Sequence, residues 1–278
     1  MRTTTTPTSP LTPATLAEGW RKAGLEEGMD VIVHSSLSSL GPVDGGAPTV
    51  VDSLRSVLGP TGTLVVPTFT WQVTDPDPDH VGVPTSDVSK RRASVPDFHT
   101  NLDTTSMGAI PDTVRALPGS VRSTHPQASV TAIGHRATEI TSHQTLGFAL
   151  GPTSPFGRLH DLGGYILLAG VGHDRNTFLH YAETLTPSPR LKLRRFPYTI
   201  NGERVWVETL DVGNDNGRHF PTLGREFEEQ AGIQEVIVGN ARCRLIPVQA
   251  LVAFSVPRLT ELLATDTTSL PGSQIHSS

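Results

Sequence analysis

Cysteine is nearly absent from this chain. Cys243 is the only one in 278 residues, so neither an intrachain disulfide nor a cysteine-built zinc cage can form. Aromatic residues are scarce at 5%, and no apolar run approaches the length needed to span a membrane. Charge of one sign is lacking as well. Twenty-two basic residues against 27 acidic ones leave a formal −5, which argues against a nucleic-acid binder held by phosphate contacts. The opening MRTTTTPTSPLT has one basic residue and no apolar core, so no secretory signal is expected there. Also missing are GxxxxGK[ST], GxGxxG after a strand and the GxSxG elbow, which leaves NTPase, dinucleotide-fold and α/β-hydrolase readings without positive support. Turn formers, by contrast, are plentiful: 26 glycines and 23 prolines, spread without a period. A soluble, cytoplasmic globular protein is expected, long enough to bury its core without staples.

The chain reads as one domain over residues 13–264 between disordered tails at 1–12 and 265–278. Leu16, Trp20 and Ala23 recur at helical spacing, and Gly24 follows in the place of a C-terminal capping glycine. Met29 to His34 is a β-branched strand, Val50, Val51, Leu54 and Val57 mark a helix, and Thr63 to Val66 is the next strand. This β-α-β order with continuous apolar strands predicts an α/β fold with a central, mostly parallel sheet flanked by helices. Gln72 to Asn101 breaks the rhythm and reads as disordered or as a functional loop. Tyr165 to Val171 is the strongest strand, and Thr177 to Leu185 the helix after it. Beyond Pro189 an α+β elaboration is expected, with hairpins turning at Asn201-Gly202 and Gly239-Asn240 and a closing helix kinked or broken at Pro257.

Polar residues concentrate in GVGHDRNTFLHYAE, from Gly170 to Glu183, directly after the strongest strand. Ligands of open α/β sheets bind outside the carboxyl ends of strands, so this is a favourable place for a site. His180 and Glu183, three apart on a helix, share a face, and a carboxylate beside an imidazole makes a usable general base. The plainer reading is an exposed surface pair. A metal-dependent hydrolase built on His173, His180 and Glu183 is a rival, although no HExxH spacing supports it. A second cluster, HSSLSSLG from His34 to Gly41, follows the first strand and leads through a Gly/Pro loop into a helix, where backbone N–H groups can meet a polar ligand. HPQASVTAIG at His125 to Gly134 and GPTSPFGRL at Gly151 to Leu159 read, by themselves, as strand and loop punctuation.

In their order along the chain, these segments resemble the aminoglycoside N3-acetyltransferases, also called antibiotic acetyltransferases. HSSLSSLG, GPTGTLVVPTFTW at Gly59 to Trp71, TTSMGAIPDTVRALPGSVRSTHPQASVTAIG at Thr104 to Gly134, GPTSPFGRL, LLAGVGHDRNTFLHYAE and the GERVW strand at Gly202 to Trp206 carry the resemblance from about Leu25 to Leu263. It implies the family's own α/β fold, distinct from the GNAT fold. It also implies transfer of an acetyl group from acetyl-coenzyme A to the 3-amino group of a 2-deoxystreptamine aminoglycoside, by direct attack in a ternary complex. By the family's pattern, His180 is the base, and a carboxylate after the GERVW strand orients it; Asp211 and Asp215 both fit that place. Ser35, Ser36, Leu37, Gly41, Val43, Ser129 and Val130 are the implied coenzyme A contacts. A polycationic acceptor calls for anionic walls, which Asp75 with Asp77 and Asp79, Asp174 and Glu183 are expected to supply. No metal, nucleic acid or membrane is implied, and the protein is expected to be a monomer or homodimer. GVGHDRNT resembles a GVGxDxNT subgroup, which leaves open a different amine as acceptor. A non-catalytic protein that holds coenzyme A or an amine sugar is the alternative from another class.

Overall fold

The structure is a computed structural model and describes residues 9–77, 85–213 and 218–268. Among them are nine strands: β1 (Asp30–Ser35), β2 (Thr63–Pro67), β3 (Val121–Arg122), β4 (Val130–Gly134), β5 (Tyr165–Ala169), β6 (Leu191–Ile200), β7 (Glu203–Val212), β8 (Val236–Val238) and β9 (Ala241–Pro247). Successive side chains of a strand point to opposite faces, and here both faces are apolar. In β1, Val31 and Val33 join one core cluster and Ile32 the other; in β5, Leu167 and Ala169 oppose Ile166 and Leu168. A sheet of such strands must be covered on both sides.

Seven strands form that sheet in the order β3-β4-β2-β1-β5-β9-β8, and β6 and β7 pair separately as a hairpin. The centre is parallel, with β1 flanked by β2 and β5 in the same direction. The outer ladders are antiparallel, β2 with β4, β4 with β3, β5 with β9 and β9 with β8. Five of the seven strands therefore run one way, with β4 and β9 reversed.

Ten α-helices are described: α1 (Pro13–Lys22), α2 (Leu37–Leu40), α3 (Ala47–Leu58), α4 (Ser86–Ala93), α5 (Ala109–Ala116), α6 (Ala137–Thr141), α7 (Pro155–Asp161), α8 (Phe178–Thr184), α9 (Phe220–Ala231) and α10 (Val248–Thr268). One face of the sheet is covered by α1, α3 and α5 through Leu16, Trp20, Val50, Leu54, Ile110 and Val114. The other lies under α6 to α10, where Phe156, Phe178, Phe220, Leu251 and Leu259 are fully buried. The result is three layers, helix-sheet-helix.

Several expectations need adjusting. The chain is tied in before residue 13: Leu11 bridges to Val43, and the Thr12 and Thr15 side chains each accept the other's backbone N–H to cap α1. At the other end α10 continues to Thr268 without a break at Pro257, because Val248, Leu251 and Val252 before it and Leu259 and Leu263 after it are all buried. The irregular Gln72 to Asn101 stretch contains α4, held by Arg92 on Asp75. α9 had no reading from sequence at all. The hairpin turn does match: Asn201 and Gly202 take φ of 53° and 84°, as a two-residue turn with both residues left-handed requires.

Candidate active site

A cleft of about 400 Å³ opens where β1 and β2 end, within the size range of small-molecule sites. His34 and Ser35 from the end of β1, Phe69 and Trp71 from the segment after β2, and Thr177 and His180 around the start of α8 line one part of it. Lys192 and Arg194 of β6, Gly213 after β7 and Arg175 before α8 close the rest.

His180 occupies this cleft because α8 is docked by its neighbours Phe178 and Leu179, both fully buried. Its Nδ1 lies 3.4 Å from Oε2 of Glu183, one turn on. The ring meets Phe220 of α9 edge to face, with centroids 4.8 Å apart, and on another side rests against Gly213. A Cβ at Gly213 would come within 2.3 Å of Cε1 of the imidazole. Glu183 is fully buried. Burial alone would raise its carboxyl, but hydrogen bonds from His180 and Arg190, with the charge of Arg190, bring it down to about 2. It stays ionised beside the imidazole.

Expected at an anionic wall, Glu183 instead has no exposed surface and faces the imidazole of His180. Asp211 is also buried, and burial pushes its carboxyl up, partly offset by Arg194 at 3.4 Å and by the backbone N–H of Val212 at 2.8 Å. Its influence on His180 is through space only. Asp215 and Asp79 lie outside the described residues. Asp75 is not a wall either: buried, it takes a forked pair of hydrogen bonds from Arg92, while Asp77 pairs with Arg91 at 2.9 Å. Asp174 is half-exposed, 3.4 Å from the cleft-lining Arg175.

Of the expected coenzyme A contacts, Ser35 lines the cleft, and its buried Oγ has no hydrogen-bond partner in the structure. Such an orphaned hydroxyl is costly unless a ligand meets it. Ser36 receives a hydrogen bond from Ser39 at 2.8 Å and lies 3.2 Å from the Ser38 hydroxyl. Leu37 and Val43 pack half-buried against the core beneath this loop, and Gly41 abuts Asn240. Ser129 and Val130 do not belong to the cleft surface. Both are fully buried where β4 sits between β2 and β3, and the Ser129 hydroxyl is spent on the Thr68 carbonyl and on Arg122.

His34 approaches Thr177 Oγ1 at 3.2 Å, and burial, with a smaller contribution from nearby His173, lowers its ring to about 3, so it is neutral. His173 itself turns away from His180. Its Nε2 donates to Glu228 at 2.8 Å, Asn176 donates to its Nδ1 at 3.2 Å, and its ring lies on Gly224 of α9. Among the described residues no three His, Cys, Asp or Glu side chains gather as a set that could hold a metal ion. Sequence reasoning missed Arg190, Gly213, Lys192 and Arg194 as site residues. None has a spacing signal, since the hairpin brings them in from beyond the helix.

A family model described as aminoglycoside 3-N-acetyltransferase matches residues 32–260. The chain is 35% identical over 251 residues to the SPbeta prophage-derived aminoglycoside N(3′)-acetyltransferase-like protein YokD of Bacillus subtilis (strain 168), covering 89% of this chain and 92% of that one. To aminoglycoside N(3)-acetyltransferase VII of Streptomyces paromomycinus it is 33% identical over 270 residues, 91% of this chain and 93% of the other. The crystal structure of YokD superposes with a TM-score of 0.86 at 34% identity, over 95% of this chain and 97% of that one. Two further solved structures are AAC-IIIb as a binary complex with CoASH (TM-score 0.82, 27% identity, 91% and 98% covered) and AAC-VIa bound to sisomicin (0.81, 30%, 91% and 99%).

Proposed function

The chain belongs to the aminoglycoside 3-N-acetyltransferase family of acyltransferases, and on that premise we propose that it moves an acetyl group from acetyl-coenzyme A to the 3-amino group of a 2-deoxystreptamine aminoglycoside, with His180 as general base. The observation that carries this reading is an imidazole lining the cleft with Nδ1 turned to a buried, ionised carboxylate. An amine of lysine-like basicity is mostly protonated at neutral pH and must shed a proton to attack. His180 takes the ammonium proton on Nε2, the freed nitrogen adds to the thioester carbonyl, the C–S bond breaks with the thiolate taking up the proton held by His180, and the second N–H proton passes to solvent as the amide forms. Glu183 stabilises the passing imidazolium and fixes the ring's tautomer. The Ser35 hydroxyl is a suitable donor to the oxyanion. No covalent enzyme intermediate is required. The relatives bound to CoASH and to sisomicin support a thiol cofactor substrate and an aminoglycoside acceptor.

A second reading has one observation in its favour. Arg175, Lys192 and Arg194 line the cleft, and no Asp or Glu side chain does so among the described residues. Those cations, two of them paired with Asp174 and Asp211, suit the phosphates of coenzyme A better than a polycation, so an amine with fewer charges is the alternative acceptor for the same chemistry. A thiol-release assay with acetyl-coenzyme A, an aminoglycoside panel and a panel of singly charged amines tests both. Turnover of the first panel is expected; turnover of the second alone would move the assignment. Coenzyme A binding without turnover of either would make the protein a binder and not an enzyme.

A further inference from the structure

We propose that Arg190 is a positioning residue for the base: by gripping both oxygens of Glu183 and bracing the other sides of the imidazole's seat, it fixes where His180 sits and limits how firmly the ring holds a proton. This rests on the reading of His180 as general base.

The geometry is a cage with Arg190 on three of its sides. Its Nε donates to Glu183 Oε1 at 2.8 Å and its Nη2 to Oε2 at 3.0 Å, while its backbone N–H donates to Oε1 at 3.2 Å. Oε2 is the oxygen that also faces His180 Nδ1. The guanidinium lies over the Phe220 ring at 5.9 Å, the same ring that meets the imidazole. The Arg190 carbonyl accepts the N–H of Gly213 at 3.0 Å, and Gly213 is the residue against which the imidazole rests. One residue thus ties together the carboxylate, the aromatic wall and the backbone floor around a single ring. A planar fork bound at two oxygens leaves a carboxylate little freedom to turn, which a lysine ammonium could not match.

A lone buried carboxylate would favour the imidazolium so strongly that the ring would resist giving its proton up again. Arg190, the nearest cation to Glu183, offsets that pull. Among the described residues, the other charged or titratable groups around the ring are Arg175 before α8, His34 from β1 and Lys192 and Arg194 from β6, which line the same cleft, and Asp211 from β7, which acts through space. Asp266 of α10 acts on Arg190 through space. None of these binds the oxygens of Glu183 as Arg190 does.

The test compares pH profiles of kcat/KM for the full-length protein and three variants, using whichever acceptor turns over. Arg190→Gln is expected to shift the acid limb upward by about one pH unit, because Glu183 then acts unopposed. It should also lower the plateau by about 10-fold, with the acceptor KM changed less than about 2-fold. Arg190→Lys should return the limb to its wild-type position yet recover the plateau only in part. Glu183→Gln should move the limb the other way. An unmoved limb in Arg190→Gln, or a loss confined to KM, overturns the proposal. Should the glutamine variant not fold, the lysine variant decides, and a full wild-type plateau there overturns it equally. His180→Ala measured alongside separates the two readings: activity surviving in that variant removes the base itself, whereas its loss beside an unmoved Arg190→Gln limb removes only the role of Arg190.

Discussion

Gly213 holds a φ of 70°, in the left-handed region that glycine tolerates, and the imidazole of His180 lies where a side chain would begin. Gly213→Ala is therefore expected to displace the ring and lower kcat by about 10-fold or more while coenzyme A affinity, measured by calorimetry, stays within about 2-fold. His180→Ala removes the base outright and should cost about 10²-fold or more in kcat, again with little change in coenzyme A binding. Equal losses in both quantities would make His180 a structural residue. At this scale the sequence was readable where chemistry and local geometry coincide. His180 and Glu183 are three residues apart on one helix, so their pairing followed from spacing. Arg190 and Gly213 were not legible, because only the return of the β6–β7 hairpin onto α8 places them there. Spacing shows which residues share a face but not whether that face meets solvent or the core, and so the burial of Glu183 was not legible either. Nor was that of Ser129, whose hydroxyl bonds inside the sheet.

α9 shows how an element can depend on another's side chain. Alanine in place of a mid-helix glycine ordinarily stabilises by up to about 1 kcal/mol. At Gly224 a Cβ would fall 2.0 Å from Cγ of His173, a ring that is buried and hydrogen-bonded to Glu228 on the same helix. Gly224→Ala is expected to destabilise the protein by about 1–3 kcal/mol, read from urea denaturation, because the helix must move off the turn that carries His173. A stability gain would show that the ring can swing aside. The elements best seen in sequence, β1, β2, β5 and the β6–β7 hairpin, are those whose apolar runs or Asn-Gly turn act locally. α9 escaped because Phe220, Leu223 and Phe227 are diluted by a proline, a glycine and four charged residues. The two-residue β3 is too short to have any period, and its existence depends on β4 beside it.

For the whole molecule, buried imidazoles set the response to acid. His34 is lowered to about 3 and His125 to about 4, both chiefly by burial. Both sit below the ordinary 6.5, so the unfolded chain takes up protons first as pH falls. Their contribution is intact above about 6.5 and declines from there toward the folded values, at roughly 2–3 kcal/mol per pH unit for the two together. Glu183, held down to about 2, adds its own loss only between about 4.5 and 2. Unfolding free energy measured in urea from pH 7 to 5 should therefore fall before Glu183 titrates; a flat line over that range would mean that both rings accept protons in the native state.

The arrangement of the seven-stranded sheet has a further effect. Its rim strands, β3 and β8, have two and three residues, and both lie antiparallel to the strand inside them. Each outer margin offers too few unpaired backbone groups to template a neighbouring chain, while the long parallel strands that could do so are enclosed in the middle. The sheet ends itself on both sides, a built-in resistance to chain-to-chain polymerisation that requires no gatekeeping charge along either border.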